Sequence, residues 1–128
     1  MLKTCKSCHS GNVAAGEPEK GDQMIREADR LMAEGISIVA GLHNDGLLKR
    51  PERCAYPFPD LLTSHDAPTV VEQKLFVMVL KHRMWASQGT FHANPGYALW
   101  YGWSEMQGDL EEIRAEAGEV PYRTAERK

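Results

Sequence analysis

A chain of 128 residues, 42% of them hydrophobic, can build one core of its own or form one piece of a larger protein. Charged residues make up 26% and the net charge is -3, so no basic excess points to a nucleic-acid partner. The longest apolar run, Leu75 to Leu80, is far short of a membrane span and reads as buried helix.

The first residues, Met1-Leu2-Lys3-Thr4, carry neither the apolar stretch nor the cleavage site of a signal peptide. They run straight into Cys5-Lys6-Ser7-Cys8-His9. Residues 10–21 hold three glycines, a proline and several charges, and read as a loop. A helix is expected from about Asp22 to His43, because Met24, Ile25, Ala28, Leu31, Met32, Ile36, Val39 and Leu42 recur in steps of three and four. Asp22 suits its N-cap, and Asn44-Asp45-Gly46 its stop.

Pro51, Pro57 and Pro59 make residues 49–66 an extended crossover, with Tyr56 and Phe58 able to pin it to the core. A second helix is expected from near Asp66 to Trp85. Pro68 suits its first turn, Thr69 and Glu72 have capping-box spacing, and Gln88-Gly89 breaks it. A third helix begins at Asn94-Pro95, runs through Tyr97, Trp100, Tyr101, Trp103 and Met106 to about Ala117, and stops at Gly118. No segment reads as a strand. The expected fold is all-α: about three long helices, a Pro-rich crossover and an N-terminal attachment loop. Residues 1–21 form the motif and loop, 22–118 the helical domain and 119–128 a polar, frayed tail.

Three cysteines rule out a fully paired disulfide framework. Cys5, Cys8 and His9 match the C-x-x-C-H signature of covalent haem attachment. Two thiols at that spacing add across the haem vinyl groups, and the adjacent imidazole ligates the iron. The residues alone leave two rivals. Cys5, Cys8 and Cys54 with one of His43, His65 or His82 would make a zinc set for an interaction domain. Cys5 and Cys8 could instead form a redox dithiol, which normally follows a strand. A stand-alone monohaem carrier would use Met84 or Met106 as its second ligand. Among the histidines, His43 and His65 lie at helix edges beside Asn44 and Asp66 and read as structural or capping residues. His82 and His92 are the candidate axial ligands. Lys81 and Arg83 flank the first as possible propionate partners, and an aromatic-rich helix follows the second.

The stretches Leu80-Lys81-His82-Arg83-Met84 and residues 88–103 (Gln88-Gly89-Thr90-Phe91-His92-Ala93-Asn94-Pro95-Gly96-Tyr97 and onward to Trp103) resemble the C-terminal region of the octahaem hydroxylamine oxidoreductases, a family that includes hydrazine dehydrogenases. Glu27 to Leu31, Val39 to Leu42 with Asp45-Gly46-Leu47, and Tyr56 to Leu62 are similar too, so the resemblance spans roughly residues 4 to 113. It implies a periplasmic multihaem cytochrome c with a mainly helical C-terminal part, commonly a homotrimer, that passes electrons to a redox partner such as another cytochrome c. It also implies haem c on Cys5, Cys8 and His9, and a tyrosine linked to a neighbouring subunit's catalytic haem, matched first by Tyr97 and second by Tyr101. The chain departs from the family in holding one C-x-x-C-H motif and in having Gly96 before Tyr97, where an acidic residue is common. On this resemblance the chain is expected to be a C-terminal segment whose export signal and further haems lie upstream, and not to be active alone.

Overall fold

A computed structural model describes residues 2–49, 61, 67 and 69–126. Among them no strand occurs, and the fold is all-α. A short α1 (Leu2–Cys5) leads to a long α2 (Gly11–Asn44). The second long helix is composite: α3 (Val70–Val77), a π turn (Met78–His82), then α4 (Arg83–Phe91). The third is built the same way, from α5 (Pro95–Tyr97), a second π turn (Ala98–Trp103) and α6 (Ser104–Glu126). Most of the expected Pro-rich crossover, with Cys54, Tyr56, Phe58 and His65, lies outside the described residues.

The three long helices pack as an up-down-up bundle. Asp29 meets Arg83 and His43 meets Glu72, so α2 runs antiparallel to α3 and α4. Lys74 meets Glu112 and His82 meets Asp109, so α6 runs antiparallel to the second helix. The core is the apolar stripe of each: Ala28, Leu31, Val39 and Leu42 from α2, Val71, Leu75 and Met78 from the second helix, and Met106, Leu110 and Ile113 from α6. Burying these side chains is worth about 1.5–3 kcal/mol for each of the larger ones, which is what holds three amphipathic helices together.

Three boundaries differ from the sequence reading. Residues 11–21 are not a loop but the first three turns of α2. Gly11, Gly16 and Pro18 lower helix propensity there, while Ala15, Glu17, Glu19 and Lys20 are good formers, and Lys20 pairs with Glu17 one turn away at 3.0 Å. Gly89 does not break the second helix, which continues to Phe91. Its missing side chain serves packing instead. The tail does not fray at Gly118, because α6 continues through Gly118 and Pro121 to Glu126. Ala117 and Val120 still pack on the core, and Arg123 pairs with Glu116 at 3.1 Å. The capping-box spacing at Thr69 is also used differently. Thr69 is the N-cap of α3, but its hydroxyl donates to the Glu72 carboxylate and accepts no bond from a backbone N–H.

Between the second and third helices the chain turns at residues 92–94. Ala93 N–H donates to Thr90 O at 3.1 Å and Asn94 N–H to Gly89 O at 2.8 Å, the paired bonds of a Schellman cap. Ala93 takes the left-handed position with φ 51°. Asn94 then caps α5, accepting from Tyr97 N–H at 3.0 Å, as its place before Pro95 predicts. Past this corner the two helices meet backbone to backbone. A Cβ on Gly89 would sit 2.7 Å from Ala98 Cα, and one on Gly102 would sit 2.6 Å from Ala86 Cβ.

His43 and Glu72 are both buried, with Nε2 and Oε1 3.2 Å apart, and they tie the end of α2 to the start of α3. This fits the structural role expected of His43.

Two predictions follow from this packing. Gly89→Ala or Gly102→Ala drives a methyl into backbone and is expected to cost about 1–3 kcal/mol or more, whereas Gly108→Ala, with nothing within 4 Å, should stabilise α6 by about 0.5–1 kcal/mol. Urea denaturation of the three variants measures the contrast. Glu72→Ala leaves the His43 imidazole without its carboxylate and should lose about 2–3 kcal/mol, while Glu72→Gln, which keeps a hydrogen-bonding partner, should lose clearly less in the same assay.

Candidate functional site

The C-x-x-C-H motif begins where α1 ends, at Cys5, and turns through residues 6–8. Ser7 shapes that turn: its N–H and its hydroxyl both donate to Thr4 O, at 3.2 and 2.6 Å. The Ser7 hydroxyl also lies 3.7 Å from Cys8 Sγ. Cys8 is an exposed free thiol, and His9 is exposed beside it. Both can be reached by a large planar reagent.

The register of the bundle sets where this motif lies. Gly21 of α2 is level with Thr90, near the end of α4. The ten residues of α2 before Gly21 therefore project about 15 Å past that level, at 1.5 Å per residue. None of their described side chains is buried. The motif sits at the far end of this projection. His82, eight residues before Thr90 and on the other side of that level, is not brought to His9.

His92 caps α4 at the bundle corner. It is exposed, its Nδ1 lies 2.8 Å from Gln88 O, and its ring packs edge-on to Phe91 at 5.5 Å between centroids. An Nδ1–H donated to that carbonyl leaves Nε2 as the acceptor nitrogen of an exposed ring.

His82 lies at the end of the first π turn and is buried. Its Nδ1 is 2.5 Å from Asp109 Oδ2 on α6. Burial pushes the Asp109 carboxyl above its ordinary value, and the hydrogen bond from His82 and the charge of Lys74 act against that shift. On its other side His82 begins a run of rings. Trp85 lies 5.6 Å away, Tyr101 meets Trp85 edge-on at 6.5 Å, and Tyr97 lies 5.1 Å from Tyr101. Three of the residues singled out in the sequence, His82, Tyr97 and Tyr101, thus belong to one cluster joined through Trp85. The small-residue seam makes this possible, because it brings the second π turn against α4.

The cations beside His82 are engaged. Arg83 donates to Asp29 at 2.7 and 2.9 Å and to the Ser87 hydroxyl, and Lys81 lies 4.8 Å above the Trp85 ring. Of the two methionines considered as ligands, Met106 is wholly inside the core and Met84 is 45% exposed. Cys54 and His65, needed for the zinc set, lie outside the described residues, and among the described ones no three His, Cys, Asp or Glu side chains cluster to hold a metal ion. No described helix is long and apolar enough to cross a membrane.

Asp109 and Trp85 are the residues that sequence reading passed over. A signal existed for Asp109, which stands on the stripe of Met106, Leu110 and Ile113, where a carboxylate needs a buried partner. Several large apolar side chains of the second and third helices are exposed, Phe91 and Trp100 each at 68% and Tyr101 at 56%. Compared with protein-family models, with curated proteins and with solved structures, the chain matches none.

Proposed function

We propose that the chain is a haem-binding, electron-transferring segment of a multihaem cytochrome c of the hydroxylamine- or hydrazine-oxidising kind. The observation that carries the reading is the C-x-x-C-H motif, with Cys8 and His9 exposed on a turn at the end of a projecting helix. The residues fit the group: thiols at the required spacing, an adjacent imidazole, and open space around Cys8 and His9. The resemblance of residues 80–103 to the octahaem hydroxylamine oxidoreductases supplies the kind of cytochrome.

Bound haem c supplies one-electron transfer. In this reading Cys5 and Cys8 anchor it and His9 is its proximal ligand. His92 and His82 lie along the bundle from the motif and are candidate axial ligands for neighbouring haems, each with Nδ1 engaged by an oxygen. Such an engagement fixes the tautomer of an iron-binding imidazole and raises its basicity.

Phe91, Trp100 and Tyr101 are large apolar side chains left exposed, which supports a chain that works in an assembly, where such side chains gain cover. In this reading the assembly is a homotrimer in the periplasm, with the remaining haems on other parts of the protein and another cytochrome c as redox partner. Tyr97, on a helix start made rigid by Asn94 and Pro95, is the candidate for attachment to a neighbouring subunit's catalytic haem, with Tyr101 the second choice. The substrate-binding haem has no motif in this chain, so the segment alone is not expected to turn over substrate.

Two measurements test this. The chain matured in a haem-competent host should retain haem mass after acid-acetone extraction, and Cys8→Ala should keep at most one thioether bond. Wild-type protein without haem mass removes the reading. Peptide mapping of the assembled protein should recover the Tyr97 peptide linked to haem. A linked Tyr101 peptide would shift the assignment by one helical turn, and two unmodified peptides would favour a reductive enzyme.

A further inference from the structure

We infer that Asp109 is a positioning residue that holds the His82 imidazole in the Nδ1–H tautomer and presents Nε2 as an iron ligand. This inference rests on the haem reading for its iron, but not for its tautomer.

The geometry makes the pair selective. An imidazole has one donor and one acceptor nitrogen when neutral, and its neighbours decide which is which. The 2.5 Å contact joins Nδ1 directly to Oδ2, and against an ionised carboxylate, which only accepts, the shared proton belongs to Nδ1. Both side chains are buried, so water does not compete for the bond. They come from different helices, with His82 on the first π turn and Asp109 on α6, so the bond also fixes the ring relative to the bundle. Trp85 packs against the ring at 5.6 Å and limits its rotation.

A buried acid on an apolar stripe costs stability unless it is paired, and replacing such a pair with apolar side chains is often neutral or favourable. Retaining one here suits a role that needs the direction of the ring. Carboxylate, imidazole and metal in series is the arrangement that orients a histidine ligand and strengthens its donation. His43 and Glu72 differ in sense: the carboxylate meets Nε2, and Nδ1 is buried without a hydrogen-bond partner among the described residues. That histidine presents no free nitrogen outward, as befits a structural pair.

The test reads the tautomer directly. In 15N-labelled protein without haem, long-range 1H–15N spectra should put the neutral His82 proton on Nδ1, and Asp109→Leu should move it to Nε2. A wild-type proton on Nε2 overturns the inference, and so does a variant that keeps Nδ1–H. Wild-type spectra decide the point even if the variant does not fold. In haem-loaded protein taken from its native assembly, Asp109→Asn and His82→Ala should both shift the reduction potential of the same haem. The Nδ1–H tautomer with every haem potential unchanged in both variants would remove His82 from the iron and leave the covalent haem at Cys5 and Cys8 to its own mass measurement.

Discussion

Two helices can approach to backbone contact only where neither carries a side chain larger than a methyl at the crossing. Ala86 and Gly89 on α4 face Ala98 and Gly102 on the second π turn, and the added Cβ atoms of either glycine would collide with the opposite backbone. This seam fixes the angle and depth at which the third helix leaves the corner at residues 92–94. Leu75, Met78, Met106, Leu110 and Ile113 then meet further along at ordinary packing distance. The contribution of the seam is geometric. It buries little apolar area, and the large side chains below it supply most of the stabilisation.

The same closeness shapes the candidate site. Side chains next to the seam have no room inside it and are turned to its flanks, where Trp85 meets Tyr101 and Tyr101 meets Tyr97. On the core side the first π turn carries His82 to Asp109. The aromatic cluster is therefore buried at His82 and open at Tyr101. The motif at Cys5 to His9 stands apart, at the end of an overhanging helix, so attachment of a cofactor there does not require the bundle to open.

Much of this fold was legible in the sequence because amphipathic stripes repeat regularly. Val39 and Leu42, Leu75 and Met78, and Met106, Leu110 and Ile113 are where their periodicity puts them. The capped start at Asn94-Pro95 was equally readable, since a polar side chain and a proline act locally. Glycine and proline mislead at Pro18, Gly89 and Gly118, because their propensities are weak against tertiary packing. Of the site residues, the Cys motif and His82 could be picked out by type and spacing. The partnership of His82 with Asp109 joins residues 27 apart in sequence, and only the register of two helices reveals it.

That register has a property of its own. A π turn holds a helix one residue out of step with an α-helix of the same course, as the Arg83 N–H to Met78 O and Ser104 N–H to Leu99 O bonds display by reaching back five residues. One residue amounts to about 100° of rotation at 3.6 residues per turn. The second and third helices each contain one such turn between the corner and the core. Loss of a single residue from either turn would rotate the seam of that helix away from its core stripe.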